Sequence, residues 1–380
     1  MKYPPRDVTT LLQTDHAPLA RAIELAEQGR GRASPNPLVG AVVVREGQTL
    51  GEGWHASYGG PHAERAALAA CGDTDVSGAT LYVSLEPCCH HGQTPPCTDA
   101  IVAARLARVV VASDDPTEKA SGRGLGILRD EGIEVDVFDG DVAEAARLLN
   151  QPFRKHARTG RPFVLFKSAM SLDGKVATAT GDSKWISGEM SRERAHRWRS
   201  HMDAVVVGIG TALADDPRLT ARVDGVERQP RRVVFDSLAR LPLDSQLVAQ
   251  AEEVPLTVVV SRAAPRAATD ALHNAGADVV LATGQHEPAR VVSALDGLGQ
   301  RGIKSILLEG GPHLAGAFLD AGEIDELRLF MAPVLVGSRN ARDPLEGVGA
   351  ERIGEAVRAT GLECTRIGED VLLTARLAEW

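Results

Sequence analysis

The chain has 380 residues, of which 43% are hydrophobic and 24% charged, and its formal net charge is −9. This length predicts two or three domains, each with a core large enough to fold without disulfides. The acidic balance disfavours a general nucleic-acid binder, which is usually basic. The polar N-terminus lacks a signal-peptide core, and no run of about 18 apolar residues occurs, so we expect a cytoplasmic protein without a membrane span.

The cysteines are few and clustered. Cys88, Cys89 and Cys97 fall within one short stretch, whereas Cys71 and Cys364 stand alone. An odd, clustered set does not suit a secreted disulfide framework. The cluster indicates a metal site in a reducing compartment, and we assign no role to the two lone cysteines.

The N-terminal half alternates helical and strand patterns, which predicts an α/β domain with a largely parallel sheet. Predicted helices cover Leu19–Gln28, Pro61–Ala70, Asp99–Arg105, Gly124–Glu131 and Val142–Gln151, and predicted strands cover Leu38–Val44, Leu81–Leu85, Arg108–Ala112 and Glu134–Phe138. Around Arg154–Pro162 the chain becomes basic and irregular. We place the domain boundary there, which gives domains of residues 1–157 and 158–380; a surface loop within one domain is the alternative.

The C-terminal half starts again with a strand pattern and predicts a second α/β domain. Its predicted strands are Phe163–Lys167, Ala204–Val207, Arg232–Asp236, Leu256–Val260, Asp278–Leu281, Ser305–Leu308, Glu326–Met331 and Val371–Ala375. The clearest helical patterns between them are Ser191–His201 and Pro312–Ala321.

Two motifs in the N-terminal half bring together residue types that bind metals. Pro61 suits the first position of a helix, which places His62 and Glu64 in the first turn. Cys88 follows a predicted strand, and Cys97 opens the next helix, where the helix dipole favours a thiolate. His62, Cys88 and Cys97 supply three zinc ligands and leave the fourth position for water, as catalytic zinc sites do.

Glu64 is left beside these ligands, and we predict that it is the catalytic acid and base. Zinc lowers the pKa of a bound water from about 15.7 to about 7, and Glu64 would take up and return the proton. The alternative is a structural zinc site that leaves His62 and Glu64 without a role. That site would use Cys88, Cys89, His90, His91 and Cys97.

The two motifs resemble the zinc deaminases of nucleobases, whose signature is H-x-E followed by P-C-x-x-C. Here eight residues, not two, separate the two cysteines. The run Glu86–Cys97, together with Pro35–Gly40 and Gly51–His55, resembles the deaminase domain of a family of bifunctional riboflavin-biosynthesis enzymes. The resemblance implies that Asn36 and His55 contact the pyrimidine or the ribose.

Two positions depart from the pattern of that family. Cys89 stands where the family more often has Ser, and Gln93 stands where it often has a basic residue that is expected to face the substrate phosphate. The phosphate contact of the deaminase domain therefore stays open, with His91 as one candidate.

In the C-terminal half, Leu308–Gly316 has the pattern of a strand, a Gly-Gly turn and a helix that starts at Pro312. The N–H groups at such a helix start bind phosphate, and the glycines let a pyrophosphate approach the backbone closely. Val207–Leu213 begins like a G-x-G-x-x-G fingerprint, but Leu213 takes the place of the third glycine. Each pattern alone also suits a plain strand-to-helix turn.

Other segments of this half resemble the reductase domain of the same family, which is similar in fold to dihydrofolate reductase. These segments are Lys167–Lys175, Ser183–Ser187, Asp215–Arg222, Phe235–Ser237 and Glu309–Pro312. The resemblance covers nearly all of the chain from near Ala17 onward. It implies a cytidine-deaminase-like layered domain followed by a dihydrofolate-reductase-like domain.

The resemblance also implies two sets of residues in the reductase site. The cofactor NADPH would contact Ala169, Trp185, Thr211, Asp215, Ser237, Gly311, Pro312, His313, Leu314, Ala315, Gly316 and Ala317. The phosphorylated substrate would contact Lys167, Ser183, Arg199, Leu219, Arg222 and Glu309. We expect Arg199 and Arg222 to clamp the phosphate, because guanidinium groups bind phosphate bidentately. One of Lys167, Asp215 and Glu309 would supply the proton that accompanies hydride transfer.

The implied reaction is zinc-dependent deamination of a phosphoribosylamino-diaminopyrimidinone, followed by NADPH reduction of its opened ribose. Ser261 and Arg262 are candidates for binding the 2′-phosphate that distinguishes NADPH from NADH. We expect a small-molecule phosphorylated pyrimidine as the partner, no nucleic acid or membrane, and a homo-oligomer. Three alternatives stay open: a nucleoside or tRNA-base deaminase with an accessory domain, a paralogue without turnover, and a reductase whose zinc site is structural.

Overall fold

The computed structural model describes residues 8–92 and 94–380, with side chains from Asp15 onward. Gln93, where the sequence leaves the phosphate contact open, lies outside the described residues. The chain forms two compact units, one that ends at Thr159 and includes Trp380, and one that covers Gly160–Glu379. Within the described residues, no helix combines the length and the apolar character that crossing a membrane requires.

The first unit is a mixed five-stranded sheet in the order β2-β1-β3-β4-β5. Its helices are α1 (Val8–Glu27), α2 (Ala63–Ala70), α3 (Cys97–Ala103), α4 (Arg123–Asp130), α5 (Asp141–Leu149) and α6 (Gln151–Thr159), and its strands are β1 (Gly40–Arg45), β2 (Gln48–Trp54), β3 (Thr80–Val83), β4 (Arg108–Val111) and β5 (Glu134–Val137). Strand β1 is antiparallel to β2 and β3, whereas β3, β4 and β5 run parallel.

Both faces of this sheet are covered, because side chains of successive strand residues point to opposite faces. Val43 and Leu81 belong to an apolar cluster with Ile101 of α3. Val42, the neighbour of Val43, belongs to a second cluster with Leu19 of α1. The unit is therefore a three-layer α/β/α domain, as the alternation of patterns predicted.

Strand β2 was not predicted, because it contains polar residues and two glycines. A Cβ atom on Gly51 would lie 2.4 Å from the carbonyl oxygen of Ala67, and one on Gly53 would lie 2.3 Å from the Ala67 nitrogen. Helix α2 thus packs directly on the strand backbone at both glycines. The two glycines make the strand hard to predict from the sequence, and they also allow this close packing.

The basic stretch Arg154–Pro162 was predicted to be irregular, and this was wrong for most of it, because α6 continues to Thr159. Two of its basic residues, Arg154 and Lys155, are buried. The Arg154 guanidinium donates hydrogen bonds to Ser113 Oγ (3.1 Å) and to the carbonyl oxygen of Asp114 (2.9 Å). These basic side chains pack within the first unit instead of forming a solvated linker.

The second unit is a nine-stranded sheet in the order β10-β9-β8-β7-β11-β6-β12-β14-β13. Its strands are β6 (Phe163–Ser171), β7 (Ala204–Gly208), β8 (Arg231–Phe235), β9 (Leu256–Val260), β10 (Asp278–Leu281), β11 (Ser305–Leu308), β12 (Glu326–Ala332), β13 (Thr360–Ile367) and β14 (Asp370–Arg376). Its helices are α7 (Glu189–His201), α8 (Ile209–Asp215), α9 (Gln246–Ala249), α10 (Arg266–Asn274), α11 (Glu287–Gly299) and α12 (Pro312–Asp320), with a 3₁₀ turn at Ile353–Glu355.

The first seven strands in this order, from β10 through β9, β8, β7, β11 and β6 to β12, run parallel. Strands β14 and β13 then add an antiparallel hairpin. The central parallel strands are buried on both faces, so their continuous apolar runs made them predictable. Strand β13 was not predicted, because seven of its eight residues are exposed and no apolar pattern marks it.

Candidate functional site

The first unit brings His62, Cys88 and Cys97 together. His62 directly precedes α2, Cys88 lies in the loop after β3, and Cys97 is the first residue of α3. Their ligand atoms all lie within 4.8 Å of one another, and His62 Nδ1 is 3.4 Å from each sulfur. Tetrahedral zinc with bonds of about 2.3 Å to sulfur and about 2.0 Å to nitrogen places such atoms roughly 3.6 Å apart. The three residues therefore fit a zinc ion.

The electrostatics at these residues favour a metal-binding thiolate. Hydrogen bonds from the Cys97 thiol and from His62, the first of which has the larger effect, lower the pKa of Cys88 to about 4 despite its burial. The Cys97 backbone N–H also points at Cys88 Sγ, at 3.4 Å. A thiolate is the form of cysteine that binds zinc.

Glu64 lies in the first turn of α2 and is 3% exposed. Burial, with the negative charge of Cys88 as a second cause, raises the pKa of its carboxyl to about 7. A carboxyl group with such a pKa exchanges a proton readily near neutral pH, which is what a general acid and base requires.

The alternative of a structural zinc site is not supported by the described residues. The only group of three close metal-ligand side chains in residues 8–92 and 94–380 is His62, Cys88 and Cys97. Cys89 instead donates to the carbonyl oxygen of Lys119 at 3.6 Å. The neighbouring histidines of the loop are also outside this group.

Asn36 and His55 lie together beside the metal-ligand residues. The His55 ring is 5.4 Å from that of His62, centroid to centroid. His55 Nδ1 is 3.0 Å from the Pro61 carbonyl oxygen, which only accepts, so Nδ1 carries the proton. His55 Nε2 then accepts from Asn36 Nδ2 at 3.0 Å. Because both ring nitrogens are engaged, His55 orients Asn36, and the contact of these two residues with the substrate stays a prediction.

The second unit contains a cleft of about 820 Å³ at the carboxyl ends of its parallel strands. Open α/β sheets bind ligands at this end. Fifteen of the predicted site residues line the cleft: Lys167, Ala169, Ser183, Trp185, Arg199, Thr211, Asp215, Leu219, Ser237, Glu309, Gly311, Pro312, His313, Leu314 and Ala317. Trp185 is 72% exposed, so its indole ring is not part of the core.

Three predicted residues do not line the cleft. Ala315 is fully buried in the apolar core, because it lies on the inner face of α12. A Cβ atom on Gly316 would lie 2.3 Å from the Gly347 nitrogen, so this residue faces a loop. Arg222 is exposed, and its guanidinium donates to Thr220 Oγ1 at 3.4 Å.

The expected phosphate clamp of Arg199 and Arg222 stays a prediction, although the Arg199 guanidinium already bonds to protein groups. The Arg199 guanidinium donates to Glu309 through Nε (2.9 Å) and Nη2 (2.6 Å), and through Nη1 to the Thr220 carbonyl oxygen (3.1 Å). The two side chains of the pair are only 15% and 9% exposed. Arg199 therefore holds Glu309 in place. The two N–H groups with which it would bind a phosphate bidentately already donate to this carboxylate.

The three candidate proton donors differ in their surroundings. Burial disfavours ionisation of Glu309, but Arg199 and then Lys167 outweigh it and lower the pKa of the carboxyl to about 2. Asp215 is ion-paired with Lys184 at 2.8 Å. Lys167 lies in the wall of the cleft, and burial lowers the pKa of its ammonium although Glu309 opposes the shift. Glu309 is therefore an ionised carboxylate without a proton to give, whereas the protonated form of Lys167 can donate one.

The start of α12 forms the part of the cleft that suits a phosphate. Strands β7 and β11 are adjacent and parallel, so the turns that follow them meet. A Cβ atom on Gly310 would lie 3.0 Å from Leu314 Cδ2 and 3.4 Å from the Gly208 nitrogen, and one on Gly311 would lie 3.2 Å from Thr211 Oγ1. The glycines keep the backbone N–H groups at the start of α12 accessible to an anion.

Among the cleft residues that sequence analysis did not identify are two arginines. Arg240 and Arg290 line the same cleft as Ser237 and Ser261, whereas Arg262 does not. Surface arginines are common, and neither of these two lies in a motif, so no sequence signal marks them. Ser261 donates to the Ser237 carbonyl oxygen at 2.8 Å, which places both serines at the ends of neighbouring strands.

Comparison with protein families gives two matches. Residues 12–113 match the cytidine and deoxycytidylate deaminase zinc-binding region, and residues 162–373 match the RibD C-terminal domain. The first match contains every residue of the proposed metal site. The second covers more than half of the chain.

Curated relatives match over almost the whole chain. The riboflavin biosynthesis protein RibD of Actinobacillus pleuropneumoniae is 41% identical over 370 residues, which are 97% of this chain and 96% of the relative. The RibD protein of Escherichia coli K12 is 40% identical over 372 residues, 93% of this chain and 97% of the relative.

Solved structures match over a similar range. Acinetobacter baumannii RibD has a TM-score of 0.84 at 36% identity and covers 96% of this chain and 99% of its own. The Thermotoga maritima diaminohydroxyphosphoribosylaminopyrimidine deaminase/5-amino-6-(5-phosphoribosylamino)uracil reductase has a TM-score of 0.82 at 35% identity, with the same coverage. The arrangement of a deaminase-like and a reductase-like unit in one chain is thus shared with these proteins.

Proposed function

The chain belongs to the RibD family of riboflavin biosynthesis proteins, and we propose that it acts on the two pyrimidines named for its Thermotoga relative. It is a bifunctional enzyme with a zinc deaminase and an NADPH-dependent reductase. The proposed substrate of the deaminase is 2,5-diamino-6-(5-phosphoribosylamino)pyrimidin-4-one. The proposed substrate of the reductase is its product, 5-amino-6-(5-phosphoribosylamino)uracil.

We assign residues 1–157 to the deaminase domain and residues 158–380 to the reductase domain. The observation that carries the deaminase assignment is the approach of His62, Cys88 and Cys97 to within 4.8 Å, beside the buried Glu64. The cytidine-deaminase-like fold of the first unit and the dihydrofolate-reductase-like fold of the second fit this division.

In the deaminase site, His62, Cys88 and Cys97 would hold the zinc ion. When bound, zinc acts as a Lewis acid that makes water a nucleophile near neutral pH. Glu64 takes a proton from the attacking water and delivers it to the neighbouring ring nitrogen. It then transfers the second water proton to the departing amino group, which leaves as ammonia while the ring carbon keeps the oxygen. Asn36, held by His55, would orient the substrate.

In the reductase site, NADPH supplies hydride, which is delivered to C1 of the opened ribose. We propose Lys167 as the donor of the accompanying proton, because Glu309 is an ionised carboxylate and Asp215 is engaged by Lys184. Arg199 fixes Glu309, so that this carboxylate can accept hydrogen bonds from the sugar hydroxyls. Substrate contacts are assigned to Lys167, Ser183, Arg199, Leu219 and Glu309. Cofactor contacts are assigned to Ala169, Trp185, Thr211, Asp215, Ser237, Gly311, Pro312, His313, Leu314 and Ala317.

We further propose that the enzyme is a cytoplasmic homo-oligomer that binds neither nucleic acid nor membranes. Its ligands are small phosphorylated pyrimidines and NADPH. Size-exclusion chromatography with light scattering tests the oligomer, and a single species at 40.2 kDa would contradict it.

A paired assay on the zinc-loaded chain tests the function. Ammonia release and NADPH oxidation are followed for the wild type and for Glu64→Ala, first with the diaminopyrimidine substrate. We expect the wild type to do both and Glu64→Ala to do neither, until it is given the deaminated intermediate and then oxidises NADPH at the wild-type rate. Wild-type protein that binds zinc but releases no ammonia would contradict the deaminase assignment and leave a nucleoside or tRNA-base substrate to be tested.

A further inference from the structure

The ring of His62 has two nitrogens with different surroundings. Nδ1 faces the ligand set, at 3.4 Å from both Cys88 Sγ and Cys97 Sγ. Nε2, on the other side of the ring, lies 3.3 Å from Thr94 Oγ1. The nitrogen that would bind the metal is thus Nδ1, and Thr94 is the hydroxyl at the opposite nitrogen.

A histidine that binds a metal must present an unprotonated nitrogen to it, so the proton resides on the other nitrogen. The N–H formed there is almost always bonded to an acceptor, which fixes the tautomer and the ring orientation. A threonine hydroxyl can accept this hydrogen bond. The contact between Nε2 and Thr94 therefore has the chemistry of an outer-shell partner of a metal ligand.

Thr94 lies in the segment between Cys88 and Cys97, which is longer here than in the P-C-x-x-C signature. Backbone hydrogen bonds hold the base of this segment, since the N–H groups of Cys97 and Thr98 donate to the Cys88 carbonyl oxygen at 3.0 and 3.2 Å. The Thr94 carbonyl oxygen accepts from the Gly92 N–H at 3.2 Å. The longer loop thereby returns a hydroxyl group to the far side of the histidine.

We propose that Thr94 is a positioning residue for the zinc site: its hydroxyl accepts a hydrogen bond from His62 Nε2–H and aims Nδ1 at the ion. The extra residues between the two cysteines thus contribute to metal binding as well as forming a loop. This inference rests on the proposed zinc site.

The test compares Thr94→Val, which removes the hydroxyl and keeps the branched shape, with Thr94→Ser, which keeps the hydroxyl. Zinc affinity of the full chain is measured by competition with a chromophoric chelator. We expect Thr94→Val to raise the zinc Kd about 10- to 100-fold, the range found for loss of such partners. Thr94→Ser should stay close to the wild type, and Thr74→Val, an exposed threonine in a distant turn, should leave the Kd unchanged.

A second readout reports on geometry and not on stability. Cobalt(II) in the site gives visible bands that depend on its ligands, and Thr94→Val should shift or broaden them while Thr94→Ser keeps them. A wild-type Kd and spectrum for Thr94→Val would overturn the role of the hydroxyl. An equal loss of zinc affinity in Thr94→Ser would also overturn it. Wild-type protein that binds zinc no better than His62→Ala would overturn the metal site itself, and with it this inference.

Discussion

Arg199 and Glu309 face each other through two parallel hydrogen bonds in the reductase cleft, Nε to Oε1 at 2.9 Å and Nη2 to Oε2 at 2.6 Å. The arginine comes from α7 and the glutamate directly follows β11, so the pair joins a helix to the sheet. Nη1 of Arg199 donates a further hydrogen bond to the Thr220 carbonyl oxygen. The pair thus fixes one side of the cleft before any ligand binds.

The first prediction concerns the stability of this pair. Glu309→Leu leaves the Arg199 charge buried without its partner, and removal of one partner from a buried pair costs about 3–5 kcal/mol in the free energy of unfolding. The double variant Arg199→Met/Glu309→Leu removes both charges and should lose less than Glu309→Leu alone. Chemical denaturation of the three chains measures this difference. Equal or greater loss in the double variant would contradict a pairwise coupling.

The second prediction is the pH dependence of the same pair. The pKa of Glu309 is lowered to about 2 in the folded chain, from an ordinary value of 4.5. A group with a lowered folded pKa stabilises the protein above its unfolded pKa and loses this contribution as the pH falls through the folded value. The difference in stability between the wild type and Glu309→Gln should therefore be constant above about pH 5 and shrink between about pH 4.5 and 2. A difference that is unchanged over this range would show that Glu309 is not ionised in the pair.

The third prediction concerns proton donation by Lys167. Lys167→Met should lower NADPH oxidation by about 10²- to 10⁴-fold, the usual contribution of a general acid. Ammonia release from the diaminopyrimidine should not change, which provides a control within the same protein. Only the protonated form of Lys167 donates, and burial lowers the pKa of this group. As the pH rises, the wild-type rate should therefore decline with a midpoint below 10.5, the ordinary pKa of lysine. A reductase that keeps its rate in Lys167→Met would return the choice to Asp215 and Glu309.

The fourth prediction concerns Asn36 and His55 in the deaminase. His55 Nε2 accepts from Asn36, and His55 Nδ1 is anchored on the Pro61 carbonyl oxygen. If His55 acts through Asn36, the two residues form one unit, and their effects should not add. We expect Asn36→Ala and His55→Ala each to lower kcat/KM for ammonia release about 10- to 100-fold, and the double variant to be close to the worse single variant. Full additivity would mean that each residue acts on the substrate independently.

Much of this architecture is readable in the sequence, and the failures have physical reasons. The buried parallel strands Leu256–Val260 and Ser305–Leu308 are largely apolar, and their limits were predicted. Strand Gln48–Trp54 was missed because its glycines allow α2 to pack directly on the strand backbone, and no local sequence pattern reveals this contact. The three proposed zinc ligands, which the fold brings together, were predicted from residue types and resemblance. The Arg199–Glu309 bond joins residues 110 positions apart, and only the fold shows that the arginine is already engaged.

The last prediction concerns which arginines bind the 2′-phosphate of NADPH, for which the sequence and the structure point to different residues. Sequence analysis gave Ser261 and Arg262 as candidates, but Arg240 and Arg290 line the cleft with Ser261, whereas Arg262 does not. The carboxylates nearest to these two arginines are at 3.8 Å (Asp236) and 4.0 Å (Glu287), beyond hydrogen-bond distance, so both guanidiniums can bind phosphate. A charged hydrogen bond contributes about 1.5–3 kcal/mol, so Arg240→Gln/Arg290→Gln should raise the KM for NADPH at least about 10-fold and leave that for NADH unchanged.

Arg262→Gln is the matched control for this prediction, because it removes the same charge from the end of the neighbouring strand, outside the cleft. Initial rates with both cofactors, at saturating deaminated substrate, give the KM values. An increase for NADPH in Arg262→Gln, with none in the double variant, would restore the assignment made from the sequence. An equal increase for NADPH and NADH in the double variant would place the two arginines at the shared pyrophosphate instead, because the 2′-phosphate is the only group by which the cofactors differ.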